Sequence, residues 1–268
     1  MGEIIMSFDN KVVWITGASS GIGTGLAKVF ASEGARLILS GRRQDALAEV
    51  AKECQALGAK GVISIAFDTT DFDDLPDIVK KAISHWGQVD VLVNNAGISQ
   101  RSFVLDTEME TYRKIMEVDF FAPIALTKLV LPHMVERGEG LIIANSSIAG
   151  IAGAKLRSGY CAAKHAMHGF FDSLRAEYYH KGIRVTMVVP GFVNTNVTLN
   201  ALQGDGSLNA KKEAGISNAI SVDEAGRQIM AGLKKGKNDI YVGSGKPMLV
   251  PWVKRLSPNL LYKMMRDF

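Results

Sequence analysis

Cysteine is nearly absent from this 268-residue chain. Cys54 and Cys161 are too few for a disulfide framework or a cysteine-rich zinc site. The five histidines, His85, His133, His165, His168 and His180, have no partner ligands at metal spacing, so no metal is expected. His165 and His168 read instead as packing or surface groups. No apolar run approaches the roughly 20 residues that span a bilayer. The first eleven residues lack a basic flank and a long apolar stretch, and Met6 occupies the position a myristoylation signal needs as Ser or Thr. Without repeats or low-complexity tracts, the length fits one α/β domain or at most two small ones. A cytoplasmic protein is expected. The formal charge of +4 is a property of one end: Lys246, Lys254, Arg255, Lys263 and Arg266 face only Asp267 in residues 246–268. No basic stripe crosses the body, and no nucleic-acid partner is expected.

What is present is alternation. Short apolar strands at 12–16, 36–40, 61–67, 89–94, 140–146, 183–189 and 239–242 are separated by amphipathic helices, the pattern of a parallel sheet covered on both faces. Gly58, Gly87 and Gly182 are expected helix stops. Capping boxes are expected at Thr107–Glu110 and Ser221–Glu224, and Pro123 should kink or divide the long helix between strands four and five. Residues 194–218, rich in Asn, Gly and small residues, read as a mobile excursion that would border the substrate.

The octet Thr16-Gly-Ala-Ser-Ser-Gly-Ile-Gly23 follows the first strand and opens the first helix. Glycines in such a turn let backbone amides approach a pyrophosphate, and the helix N-terminus favours negative charge. The second strand ends without the acidic residue that would accept from the ribose hydroxyls of NAD. Arg42 and Arg43 follow instead, and guanidinium groups suit a 2′-phosphate. NADP(H) is therefore favoured, with NAD(H) as the lesser alternative. Asp68 has two readings, as an acceptor for the adenine amino group or as the cap of its own turn.

Tyr160 and Lys164 stand four residues apart, on one face of a helix. A free phenol has a pKa of about 10 and is a poor base at neutral pH. A cation about 5 Å away, at an effective dielectric of about 20, favours the phenolate by roughly 3 kcal/mol, or about two pKa units. Such a pair alone is common on ordinary helices. Cys161 would project about 100° away from Tyr160 and has no expected role.

Taken in order, the octet, Asn94-Asn-Ala-Gly97, Ser146-Ser147, the Tyr160–Lys164 pair and Pro190-Gly-Phe-Val-Asn-Thr195 make the chain resemble the short-chain dehydrogenase/reductase family, over residues 11–242. The stretches Lys164-His-Ala, Phe170-Phe-Asp-Ser-Leu-Arg-Ala-Glu177 and Thr195-Asn-Val-Thr-Leu-Asn-Ala-Leu-Gln-Gly-Asp-Gly206 resemble its dehydrogenase/reductase member 7-like branch, which includes reductases of lipid-like carbonyl compounds. The resemblance implies one doubly wound Rossmann-type domain with a seven-stranded parallel sheet. It implies an oxidoreductase that interconverts a carbonyl and a secondary alcohol. Ser147 would polarise the substrate oxygen, Tyr160 would exchange its proton, and Lys164 would lower the phenol pKa and hold the nicotinamide ribose. Gly17, Ser19, Ser20, Gly21, Ile22, Gly23, Arg42, Arg43, Asp68, Thr69, Asn95, Ala96, Gly97, Pro190, Gly191, Val193 and Thr195 would complete the cofactor contacts, with Asn94 more structural. A homodimer or homotetramer follows by the same analogy. Asp119 departs from the family, which usually has asparagine there on a water path to the lysine. Ionised, it would oppose Lys164; protonated, it could act much as an amide does. A non-catalytic nucleotide-sensing scaffold is the alternative that this departure raises.

Lys155 and Arg157, between Ser147 and Tyr160, could meet an anionic head group or do nothing specific. The basic and apolar tail, 246–268, is expected to pack on its own chain or a partner subunit, with membrane-surface contact or closure over a greasy substrate as the other options.

Overall fold

A computed structural model describes residues 6–209 and 219–266. Seven parallel strands form one sheet in the order β3-β2-β1-β4-β5-β6-β7. They are β1 (Val12–Thr16), β2 (Arg36–Gly41), β3 (Gly61–Ala66), β4 (Val91–Asn94), β5 (Gly140–Asn145), β6 (Ile183–Pro190) and β7 (Asp239–Val242). The order reverses direction between β1 and β4, opening the crevice where α/β sheets of this kind take ligands, beyond the carboxyl ends of the strands.

Strand side chains alternate between two cores. Val13 and Ile15 of β1 join Leu37, Leu39, Val91 and Val93 beneath α1 (Gly21–Ser32), α2 (Gln44–Ala56) and α7 (Val222–Lys234). Val12 and Trp14 join Ile38, Leu92 and Ile142 beneath α3 (Leu75–Trp86), α5 (Ala122–Arg137) and α6 (Ser158–Tyr178). At the far end of the sheet, Asp90 is buried but fully engaged. It accepts from the Val12 amide, Gln88 and Arg137, tying β1 to β4 and to the end of α5.

The expected long helix before β5 is divided. α4 (Met109–Met116) runs into a π-helical segment, Glu117–Phe121, and then α5. Pro123 has no N–H to give the Asp119 carbonyl, and the wider turn accommodates its ring. Gly87 and Gly182 are left-handed stops, as the sequence suggests. Ser221 caps α7 by accepting from the Glu224 amide, while the Glu224 carboxylate turns to Arg227 and Gln228, so that box is half formed.

Two expectations need correction. Thr107 does not cap α4: Glu108 occupies that position, and the Thr107 hydroxyl turns inward to the Phe103 carbonyl, Gln100 and Ser102. The excursion after Thr195 is built rather than loose through residue 209. Leu202 is buried and pairs with Ser99 and Arg101, and a turn at 203–207 is held by Asp205, Ser207 and Gln203. The remainder, 210–218, lies outside the described residues. The tail is helical and returns to its own chain: Val250 of α8 (Val250–Leu256) and Leu261 of α9 (Pro258–Arg266) bury against Ala152. No described helix is long and apolar enough to cross a membrane.

Candidate active site

The glycine turn sits at the carboxyl end of β1, with Thr16 as its keystone. The Thr16 hydroxyl donates to the Val93 carbonyl and accepts from the amides of Asn95 and Ala96. Asn95 returns the contact by donating to the Thr16 and Gly17 carbonyls. Gly17 has φ 65°, and a Cβ there would stand 2.9 Å from the Ala96 Cα. A Cβ on Gly23 would stand 2.2 Å from the Gly17 carbonyl oxygen. Only glycine lets α1 begin this close to the turn. Ser20 at the start of α1 makes no side-chain cap, and the first turn carries no acidic residue. A pyrophosphate fits this cradle: it finds uncapped amides, a favourable helix terminus and no opposing carboxylate.

Around the cradle stand the other expected cofactor residues. Arg43 donates to the Ser19 carbonyl at 3.3 Å, which holds its guanidinium beside the turn. Arg42 is 75% exposed and lies 3.7 Å from Asp68. Asp68 caps its own turn, one carboxylate oxygen accepting from both the amide and the hydroxyl of Thr70. Thr69 lines, with Thr16, Asn94 and Ala96, a void of about 10 Å3, room for a single water. Asn94 is structural, donating to Thr127 in the core. Ile22 packs its side chain on the core. On the other side, Pro190 ends β6, Gly191 donates to the Val242 carbonyl, and Val193 pairs with Ile220. Thr195 reaches back to the turn, where a Cβ on Gly21 would stand 3.2 Å from its methyl.

Ser147, Tyr160, Lys164 and Asp119 come together across the crevice. Ser147 leaves β5 in extended backbone, and its oxygen accepts from the Ala149 amide. Its hydroxyl proton is then available to donate to the Tyr160 oxygen. The Lys164 ammonium lies 5.6 Å from the centroid of the Tyr160 ring and donates to the Asn145 carbonyl at 3.1 Å. Burial pushes the Tyr160 phenol above its ordinary pKa; Lys164 pulls it down, Asp119 pushes it up, and Ser147 and Arg157 pull it down. The protein alone does not make Tyr160 acidic: the loss of water outweighs one lysine.

Asp119 belongs to this cluster. The π turn aims it inward, fully buried, where one oxygen accepts from the Ile98 amide at 2.8 Å. The other lies 3.8 Å from the Lys164 ammonium and has no hydrogen-bond partner. Burial raises its carboxyl to about 6, against the pull of Lys164 and the Ile98 amide. Gly97 leaves the room for this contact, since a Cβ there would meet the Asp119 oxygen at 2.9 Å.

Several supporting residues carry no sequence signal. Gln100, fully buried, accepts from the Gly159 amide and so fixes the start of α6 one residue before Tyr160. Asn145 donates to Asn95, joining the lysine side to the glycine side. His168, expected as a packing or surface group, bonds the Ser146 hydroxyl at 3.1 Å. Each of these depends on partners remote in the chain, which spacing alone does not disclose.

A family model described as short chain dehydrogenase matches residues 11–205. The chain is 40% identical to dehydrogenase/reductase SDR family member 7B of Bos taurus over 261 residues, covering 96% of this chain and 80% of that one. An alcohol dehydrogenase of the archaeon Thermococcus sibiricus, solved with 5-hydroxy-NADP, superposes with a TM-score of 0.76 at 25% identity over 88% of this chain and 97% of that one. A Burkholderia phymatum short-chain dehydrogenase/reductase superposes with a TM-score of 0.82 at 22% identity over 96% of each chain. With the sheet order and the glycine-turn octet, these matches place the chain in the short-chain dehydrogenase/reductase family of NAD(P)-dependent oxidoreductases.

Proposed function

We propose that this protein is an NADPH-preferring carbonyl reductase that also runs as a secondary-alcohol dehydrogenase, with Tyr160 as the proton-exchanging group. The observation that carries the reading is the convergence of Ser147, Tyr160 and Lys164 at the end of β5, opposite a glycine turn shaped for a pyrophosphate. When bound, the nicotinamide supplies or accepts the hydride. The chain's own residues do the rest. Ser147 donates to the substrate oxygen and orients the carbonyl, while Tyr160 gives that oxygen its proton in reduction and removes it in oxidation. Lys164 stabilises the phenolate left behind and, from the same face of α6, would hold the nicotinamide ribose. Gly17, Ser19, Ser20, Gly21, Ile22 and Gly23 would carry the pyrophosphate, Asn95, Ala96 and Gly97 the adenosine side, and Val193 and Thr195 the carboxamide.

Arg42 and Arg43 support the preference for a 2′-phosphate, because two guanidinium groups flank the turn where an acidic residue would favour NAD. Asp119 tunes the same cluster. Above a pH of about 6 its carboxylate opposes Lys164, and below it the opposition is relieved. At 3.8 Å the pair interacts by about 4 kcal/mol at an effective dielectric of about 20, a scale similar to the help Lys164 gives the phenol.

The test is a panel of ketones, aldehydes and secondary alcohols assayed with both nicotinamides. The expected result is carbonyl-dependent oxidation of NADPH, with kcat/KM about tenfold above that with NADH. Tight NADPH binding with no turnover anywhere on the panel would instead indicate a nucleotide-sensing scaffold.

A further inference from the structure

A second cavity, of about 380 Å3, lies between the tail helices α8 and α9 and the segment that leads from Ser147 to Tyr160. Its volume is in the range of small-molecule sites, about 300–1,000 Å3. Its lining divides into two kinds of chemistry. Lys155, Lys254 and Arg266 contribute three cations; Leu261, Tyr262 and Met265 contribute apolar surface. Among the described residues no carboxylate lines it. Lys155 and Arg266 have no ion pair among the described residues, and Lys254 gives one N–H to the Ile151 carbonyl, which pins α8 to the loop without neutralising the charge. Three cations around one concavity, with no carboxylate among the described residues to offset them, repel one another and favour an anion. The apolar side has the opposite demand, for hydrocarbon.

We propose that this cavity binds a single-chain amphiphile with an anionic head, the head between Lys155 and Arg266 and the chain along Leu261 and Met265. A membrane surface fits less well, because these cations line a concavity while Trp252 and Leu256, the groups a bilayer would take, stay outside it. Ile148 and Ile151 pack on the same Ala152–Val250–Leu261 cluster, so the occupant would press on the loop that begins beside Ser147. The site stands independently of turnover at Tyr160, and its test is a binding measurement.

Full-length protein is titrated calorimetrically with octyl, nonyl and decyl phosphate below their micellar concentrations, with decanol and inorganic phosphate as the two half-ligands. Saturable binding near one per chain is expected, strengthening about fourfold per methylene, with both half-ligands weaker. The double variant Lys155→Ala/Arg266→Ala should weaken decyl phosphate about tenfold and leave decanol unchanged. Gly153→Leu should weaken both, since a Cβ at this lining position meets nothing within 4 Å and the added side chain can fill the cavity without disturbing the fold. Thermal midpoints of both variants, compared with the parent, check that they are folded. Affinity unmoved by either variant overturns the proposal. So does binding seen only on phosphatidylserine vesicles and lost in Trp252→Ala, which would assign the tail to a membrane.

Discussion

The two halves of the sheet bring their strand ends to one crevice, but fix them by different means. On the β1–β4 side the work is done by backbone. Thr16 and Asn95 each turn a side chain onto the other's main chain, and glycines hold the conformations that other residues resist, with φ 65° at Gly17 and 59° at Gly21. On the β5–β6 side the work is done by side chains on one long helix, positioned from outside by Gln100, Tyr112 and Asn145. Here a left-handed conformation falls on Leu156, φ 63°, whose carbonyl accepts from the Ser102 amide. The first side is a rigid cradle written in eight consecutive residues. The second is an assembly whose chemistry depends on burial and on charges brought from several elements.

That contrast can be broken at either end. On the cradle side, Gly23→Ala should be severe, because its Cβ would stand 2.2 Å from a carbonyl oxygen. Overpacking of this kind costs about 1–3 kcal/mol, and dinucleotide affinity should fall about a hundredfold, read by fluorescence titration and thermal melting. Arg42→Ala/Arg43→Ala should act on selectivity alone. NADPH affinity should drop about tenfold to a hundredfold while NADH affinity stays within about twofold, as measured by the same titration.

On the assembly side, Asp119→Asn should change the pH dependence more than the maximal rate. Removing a charge that raises the Tyr160 pKa should move the limb of alcohol oxidation set by that phenol to lower pH. The inflection near pH 6, where Asp119 itself titrates, should vanish. A superimposable profile would remove Asp119 from the proton-transfer cluster. Leu156→Gly should give the smallest effect, a gain in stability of about 1 kcal/mol or less by chemical denaturation, as relief of the left-handed strain outweighs the entropy of a glycine.

The same contrast explains what the sequence discloses. The strands, the glycine turn, the arginines after β2 and the Tyr160–Lys164 face are periodic or contiguous patterns, so the architecture and the core of the candidate site are legible without a structure. Thr107 misleads because its hydroxyl finds better partners in buried Gln100 and Ser102 than at a helix start. The excursion after Thr195 reads as loose because its anchor is one buried leucine paired with residues about a hundred positions earlier. Spacing also suggests a Tyr160 made acidic by Lys164. The desolvation that reverses this in the protein alone is a property of the packed site and of no motif.

The most direct measurement is a single-turnover comparison of Tyr160→Phe with the parent, each saturated with NADPH and mixed with a carbonyl substrate from the panel. The account predicts unchanged NADPH affinity and a loss of hydride transfer of about a thousandfold or more, because it assigns the proton of the substrate oxygen to Tyr160. Turnover within about tenfold of the parent would contradict it and move the chemistry away from this phenol.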